Sequence, residues 1–124
     1  MRVLLVEDDK STAKSIELML KSEGYIVDLT DLGEDGLEIG KIYDYDIIIL
    51  DLMLPDIDGY EVLRRLRSGR VSTPILILSA RGDAKSVMAG MEAGASDYLP
   101  KPILHHDLVA KVRRMLDLDP VTED

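Results

Sequence analysis

The chain has 124 residues, of which 46% are hydrophobic, and a formal net charge of −9. This length predicts one domain with a single core, and the negative charge argues against direct binding of nucleic acid by this segment. Because the chain has no cysteine and no apolar stretch near the ~20 residues of a membrane span, we expect a cytoplasmic protein without disulfides, thiolate metal sites or membrane contact.

The first strand and helix are predicted in residues 1–24. Residues 3–6 are apolar and predict a buried strand, which is followed by three acidic residues, Glu7, Asp8 and Asp9. Ser11 or Thr12 is the expected N-terminal cap of the first helix, and Gly24 marks its expected end.

The second unit is a weaker strand at 25–29 and a short helix. Three apolar residues support the helix: Leu37, Ile39 and Ile42. Gly36 and Gly40 within it are expected to allow close packing rather than to bind a ligand.

The third strand is the unbroken apolar run 47–50, which is typical of a strand buried on both faces of a parallel sheet. Asp51 follows at its carboxyl end, and Pro55 with Gly59 turns the chain away. In open parallel sheets the ligand crevice lies at the carboxyl ends of the strands, so Asp51 lies where chemistry is expected. A structural alternative for Asp51 alone is that it caps the following turn.

Two further units complete the pattern. The third helix is expected to turn Val62, Leu63 and Leu66 inward and its arginines outward: Arg64, Arg65 and Arg67. A strand at 75–78 ends at Ser79, and the fourth helix carries a stripe of apolar residues up to Gly94: Ala84, Val87, Met88 and Met91.

A short fifth strand at 98–99 precedes Lys101, and the last helix is amphipathic, with Leu108, Val109, Val112, Met115 and Leu116 on one face. Residues 1–116 therefore predict one α/β domain, a doubly wound (βα)5 parallel sheet with helices in layers on both faces. Residues 117–124 are expected to form a tail or the start of a linker.

Polar side chains follow four of these strands, and a parallel sheet brings the strand ends to one edge. They are Glu7, Asp8 and Asp9, then Asp51, Ser79 and Lys101. Crowded carboxylates repel one another unless a cation lies between them, and oxygen ligands without histidine or cysteine favour Mg²⁺ or another hard divalent ion. A hydroxyl and an ammonium group opposite them match a phosphoryl group. The alternative is a set of solvated loops in which Lys101 neutralises a carboxylate.

Four segments together resemble the receiver domain of the response regulators of two-component signalling. They are Val-Glu-Asp-Asp at 6–9, Leu-Asp-Leu-Met-Leu-Pro-Asp-Ile-Asp-Gly at 50–59, Leu-Ser-Ala at 78–80 and Asp-Tyr-Leu-Pro-Lys-Pro at 97–102. The resemblance covers essentially the whole chain and implies a flavodoxin-like sheet of strand order 2-1-3-4-5.

The resemblance implies that Asp51 accepts a phosphoryl group from a histidine kinase or a histidine phosphotransfer protein. Asp8 would bind Mg²⁺ directly and Glu7 would bind it through water. The Asp51 carboxylate and the backbone carbonyl of Met53 would complete the protein ligands.

The remaining site residues are implied in the same way. Lys101 would contact the phosphoryl oxygens, and its peptide bond to Pro102 would be cis. Ser79 would hydrogen-bond the phosphoryl group, and Tyr98 would turn inward as the Ser79 loop moves. The surface formed by the fourth helix, fifth strand and fifth helix would then change for a partner, an output domain or a second copy.

Residues 15–25 read Ser-Ile-Glu-Leu-Met-Leu-Lys-Ser-Glu-Gly-Tyr, residues 30–36 read Thr-Asp-Leu-Gly-Glu-Asp-Gly and residues 41–46 read Lys-Ile-Tyr-Asp-Tyr-Asp. In these segments, residues 1–78 more closely resemble the receivers of winged-helix transcription regulators that control the alphaproteobacterial cell cycle. Winged-helix receivers usually carry a basic residue where this chain has Val87, an acidic one near Asp107, an arginine where it has Lys111 and a phenylalanine where it has Ile103. Because those positions build their activation dimer, the differences here argue against the standard dimer. An Asp97–Lys111 pair remains available.

Two other functions are compatible with this topology. A phosphatase or phosphotransferase of similar topology would use Asp51 for turnover, but such hydrolases generally need a second Asp two residues later, where this chain has Met53. An interaction module that is never phosphorylated would retain only the fold, whereas here every chemical position is filled. We therefore expect a phosphoacceptor rather than an enzyme.

Overall fold

The computed structural model describes residues 1–80 and 84–116. The elements alternate along the chain as β1 (Arg2–Val6), α1 (Lys10–Ser22), β2 (Ile26–Thr30), α2 (Gly33–Ile42), β3 (Ile47–Asp51), α3 (Gly59–Ser68), β4 (Ile75–Ser79), α4 (Ala84–Ala93), β5 (Asp97–Pro100) and α5 (His105–Met115). All neighbouring strands are parallel, and their order is β2-β1-β3-β4-β5. The predicted flavodoxin-like fold and strand order are confirmed. The predicted tail, 117–124, lies outside the described residues.

Two apolar layers cover the sheet. One lies against α2 and α3 and contains Ile48 and Leu50, and the other lies against α1 and α5 and contains Ile47 and Ile49. Successive side chains of a strand point to opposite faces, so a strand covered on both faces needs an unbroken apolar sequence. This explains the run at 47–50 and places Asp51 where that run ends.

The N-terminal cap of α1 differs from the prediction. Asp9, and neither Ser11 nor Thr12, is the capping residue: its carboxylate accepts a hydrogen bond from the backbone N–H of Thr12 at 3.1 Å. The helix therefore begins at Lys10, two or three residues closer to β1 than the hydroxyl residues indicated. Gly24 follows the end of α1 with a φ of +85°, as its predicted role requires.

The glycines of α2 pack as predicted. A Cβ atom on Gly36 would lie 2.7 Å from Cγ2 of Val6, and one on Gly40 would lie 3.1 Å from Cδ2 of Leu66. Absent side chains thus let α2 approach β1 and α3. Ile42 is exposed, so Leu37 supplies the buried apolar contact of this helix.

Arg67 was predicted to point outward and is instead half-buried. Its guanidinium donates hydrogen bonds to the carbonyl oxygens of Gly94 at 2.9 Å, Val71 at 2.8 Å and Thr73 at 2.8 Å. The loops before β4 and before β5 cover the last turn of α3, and their carbonyl groups need a donor.

The apolar stripe predicted on α4 is largely turned towards solvent: Met88 is 62% exposed and Met91 is 41% exposed. The buried residue of α4 is Gly90, where an added Cβ would lie 2.3 Å from Cδ1 of Ile77. The helix packs on the sheet at Gly90, which has no side chain, and this orientation directs Met88 and Met91 towards solvent. No helix in the described ranges is both long and apolar enough to cross a membrane.

Candidate functional site

Four strand ends meet at one edge of the sheet. Glu7 follows β1, Asp51 ends β3, Ser79 ends β4 and Lys101 follows β5. Glu7, Asp51 and Ser79 are buried, with exposed fractions of 1%, 3% and 4%. Buried polar side chains are costly unless they are paired, so this edge is built for charged or hydrogen-bonded contacts.

Three carboxylates form a compact acidic cluster here. One oxygen each from Glu7, Asp8 and Asp51 lies within 4.8 Å of the others, and Asp8 is exposed. This all-oxygen donor set, open on one side, suits a hard divalent cation such as Mg²⁺. Asp9 is not in the cluster, since its carboxylate caps α1.

Lys101 is the cation that faces these carboxylates. Its Nζ lies 2.8 Å from Oε1 of Glu7 and 3.3 Å from Oδ2 of Asp51. Burial alone would lower the pKa of Lys101, but the contact with Glu7 and the charge of Asp51 outweigh it and raise that pKa above its usual value. Lys101 is therefore charged at neutral pH and can hold an anionic group beside Asp51.

The carboxyl group of Glu7 is an unusually weak acid. Burial and the nearby Asp51 raise the pKa of Glu7 to about 7, although Lys101 and the backbone N–H of Asp9 act in the opposite direction. Near neutral pH, Glu7 is thus close to its midpoint of ionisation, so the charge of the cluster changes in the physiological range.

The backbone around Asp51 orients its carboxylate. The N–H of Met53 donates to Oδ1 of Asp51 at 3.1 Å, and the N–H of Gly59 donates to the carbonyl of Leu52 at 3.1 Å. A Cβ on Gly59 would lie 2.5 Å from Cα of Leu52, so only glycine allows α3 to begin this close to β3. Asp51 keeps Oδ2 directed towards Lys101.

The segment around β5 contains the other predicted residues. The Lys101–Pro102 peptide bond is cis, and the Lys101 N–H donates to the carbonyl of Ser79 at 2.7 Å. Tyr98 lies apart from the cluster and is 36% exposed. Its ring lies 5.5 Å from Nζ of Lys111, which also pairs with Asp97 at 3.2 Å. The structure thus brings together the acidic cluster, Lys101 and the end of β4, with Tyr98 facing outward.

Asp56 is a residue that the sequence reasoning missed. It accepts hydrogen bonds from the N–H groups of Gly33 and Glu34, at 2.8 and 2.9 Å, and so caps α2 from the loop after β3. Leu32, the residue at the capping position, has no side chain able to do so. The sequence signal for such a distant partner is the start of α2 at Leu32-Gly33, where no polar residue is available to cap the helix.

Comparison with protein families matches residues 3–113 to the response regulator receiver domain. Among characterised proteins, the cell cycle response regulator CtrA of Brucella ovis is 55% identical over 116 residues, which is 94% of this chain and 50% of that protein. The chain spans about half the length of the curated relatives it matches. The predicted resemblance to receivers is confirmed, and the similarity to a cell-cycle regulator extends well beyond residues 1–78.

Solved structures give the same result. A putative response regulator from Chloroflexus aurantiacus is 41% identical with a TM-score of 0.86, over 94% of this chain and 97% of that one. The receiver domain of the sensor histidine kinase PA1611 from Pseudomonas aeruginosa is 34% identical, with a TM-score of 0.86 over the same fractions. That domain has a magnesium ion coordinated in its active site cleft.

Proposed function

This chain belongs to the response regulator receiver domain family, and from that premise we propose that Asp51 accepts a phosphoryl group in a phosphorelay. The donor is a histidine kinase or a histidine phosphotransfer protein. The observation that carries the proposal is the position of Asp51, buried at the end of β3 with Oδ2 3.3 Å from Nζ of Lys101 and beside the acidic cluster. We also propose residues 1–116 as the receiver and 117–124 as a tail or the start of a linker.

In the proposed reaction, a carboxylate oxygen of Asp51 attacks the phosphorus atom of a phosphohistidine, and the histidine nitrogen leaves. The bond from phosphorus to nitrogen breaks as the acyl phosphate bond forms, and no oxidant or further reactant is needed. Lys101 contacts the transferring oxygens through its ammonium group, and the Ser79 hydroxyl donates to one of them.

The acidic cluster is the proposed Mg²⁺ site. Asp8 and Asp51 would bind the ion directly, Glu7 would bind it through water, and the carbonyl of Met53 would supply a further oxygen. When bound, Mg²⁺ neutralises charge on the phosphoryl oxygens. The similar receiver domain of PA1611, in which magnesium is coordinated in the active site cleft, supports this assignment.

The output of the domain is proposed to be a change of surface. Phosphorylation would draw Ser79 towards the phosphoryl group and turn Tyr98 inward, which alters the face formed by α4, β5 and α5 for a partner or an output domain. The resemblance to winged-helix transcription regulators supports a transcriptional output, and the similarity to the cell cycle response regulator CtrA is consistent with it. We also propose a cytoplasmic location. A hydrolase function is disfavoured because Met53 stands where a second catalytic Asp would be needed.

Phosphotransfer from a purified histidine kinase, or from acetyl phosphate, tests this function. We expect Mg²⁺-dependent labelling of the chain, no labelling of Asp51→Asn, and slow labelling of Asp8→Asn with weaker Mg²⁺ binding. Asp46→Asn, which lies at the opposite end of β3, is the matched control and should label normally. Labelling that persists in Asp51→Asn would contradict the assignment.

A further inference from the structure

Asp56 carries an inference that rests on the proposed function and deepens it. We propose that Asp56 is a positioning residue for the metal and phosphoryl site, because it fixes the loop that presents the Met53 carbonyl. Its carboxylate ties that loop to the start of α2 rather than touching the reacting groups itself.

The carboxylate of Asp56 connects the loop after β3 to the first turn of α2. Oδ1 of Asp56 accepts the Gly33 N–H at 2.8 Å and Oδ2 accepts the Glu34 N–H at 2.9 Å, so the carboxylate is held at two points. These amides begin α2, whose partial positive charge favours a carboxylate at this end. Two charge-assisted hydrogen bonds fix both the position and the rotation of the group.

Apolar side chains of the loop pack around the same contact. A Cβ on Gly33 would lie 2.3 Å from Cγ2 of Ile57 and 3.0 Å from Cδ1 of Leu54. The loop therefore lies against the backbone of α2 on both sides of Asp56. Ile57 and Leu54 also pack against the apolar layer below α2 and α3. The contact between the Asp56 loop and α2 is thus continuous with the hydrophobic core.

The backbone of Met53 lies between two fixed points of the chain. On one side, its N–H is bound to Oδ1 of Asp51 at the end of a buried strand. On the other side, Asp56 is anchored three residues later, and Pro55 between them fixes its own φ and favours an extended Leu54. With both ends held, the Met53 carbonyl has a defined direction; with Asp56 removed, only one end remains held.

A purely structural role makes a different prediction. A helix cap stabilises the fold wherever it lies, and its loss would lower stability without changing the affinity of the folded protein for metal. A positioning role requires that metal affinity and the dynamics of the loop change as well. The two roles are therefore separated by measurements on the folded state.

The experiment compares Asp56→Ala with Asp28→Ala, which removes the same charge and a hydrogen bond of 2.7 Å from the hydroxyl of Tyr45, between β2 and the segment after α2. We expect the Mg²⁺ dissociation constant, from NMR titration with MgCl₂, to rise about tenfold in Asp56→Ala. Without metal, the Met53 amide should exchange with deuterium faster than in the unmodified chain. Asp28→Ala should change neither quantity, even where urea unfolding shows a similar loss of stability.

Asp56→Asn retains one acceptor oxygen, so we expect an intermediate dissociation constant, and this variant decides the matter if Asp56→Ala fails to fold. Unchanged affinity and exchange in a folded Asp56 variant, beside an unmodified chain that binds Mg²⁺ and accepts phosphoryl, would overturn the positioning role alone. An unmodified chain that does neither would overturn the proposed function and this role with it.

Discussion

At the scale of single residues, Glu7 shows how burial sets the chemistry of the site. It is 1% exposed and close to a second carboxylate, and burial is the main reason why its pKa rises to about 7. In an unfolded chain a glutamate ionises near pH 4.5. Between these values the folded protein binds more protons than the unfolded chain does.

The stability of the metal-free protein should therefore fall as pH rises from about 4.5 to about 7. Glu7 contributes stability that is fully present below its unfolded pKa and is lost as pH rises through its folded pKa. The slope is at most about 1.4 kcal/mol for each pH unit, the value for one whole proton. Urea unfolding at several pH values, in the unmodified chain and in Glu7→Gln, measures it as the difference between the two curves.

Glu92→Gln is the control for this measurement, because Glu92 is an exposed glutamate on α4. Its curve should run parallel to that of the unmodified chain. If Glu7→Gln also ran parallel to the unmodified chain between pH 4.5 and pH 7, the raised pKa of Glu7 would be wrong.

The residues of the site were mostly predictable because strand ends of a parallel sheet meet at one edge. Glu7, Asp51 and Lys101 were placed by this rule alone. The rule could not distinguish among three consecutive acidic residues, and only the turn of the chain shows that Asp9 caps α1 instead. The role of Asp56 was not predicted, because its hydrogen-bond partners on α2 lie more than twenty positions earlier in the sequence.

At the scale of elements, Arg67 joins the end of α3 to two loops. Its guanidinium satisfies the carbonyl groups of Val71, Thr73 and Gly94. Burial lowers the pKa of Arg67, yet the guanidinium remains charged because arginine is a very strong base. Five donors in one plane suit several acceptors better than a single ammonium group does.

Arg67→Ala should lower the free energy of unfolding by about 2 kcal/mol, because three carbonyl groups lose their donor. Arg67→Lys should cost less, about 1 kcal/mol, since one ammonium group cannot reach all three positions. Arg64→Ala is the control on the same helix: Arg64 pairs with Glu61 at the surface, and its loss should cost under about 0.5 kcal/mol. Equal costs for Arg64→Ala and Arg67→Ala in urea unfolding would contradict the joining role.

Sequence periodicity predicted that α4 exists but not which side of it is buried. The apolar residues Val87, Met88 and Met91 have helical spacing, and such spacing ordinarily marks the core face. Here Gly90 faces Ile77, because a helix can approach a sheet most closely where it has no side chain. Hydrophobicity alone gives no signal for a face defined by an absent side chain.

At the scale of the whole molecule, the topology followed from the order of elements. Alternating strands and helices with short connections leave few arrangements other than a doubly wound parallel sheet, and the resemblance to receivers supplied the strand order. The net charge of −9 is also a property of the whole chain. It does not select the fold, but it affects how two copies approach each other.

The charge distribution predicts that the activated chain stays monomeric. Two copies with a net charge of −9 each repel one another. Lys111 is already paired with Asp97 of its own chain, at 3.2 Å, and Val87 stands where winged-helix receivers carry a basic residue. The exposed Met88 and Met91 add apolar surface but no charge complementarity.

Light scattering after size exclusion, with Mg²⁺ and beryllofluoride as the phosphoryl mimic, should therefore give the monomer mass at tens of micromolar protein. Val87→Lys restores the basic residue that winged-helix receivers carry at this position, and its long side chain can reach solvent from a half-buried position. We expect this variant to form dimers that are lost at high salt, since screening weakens exposed ion pairs. Val87→Gln, which has similar length without the charge, should remain monomeric. A stable dimer of the unmodified chain would show that the apolar face of α4 outweighs the repulsion between copies.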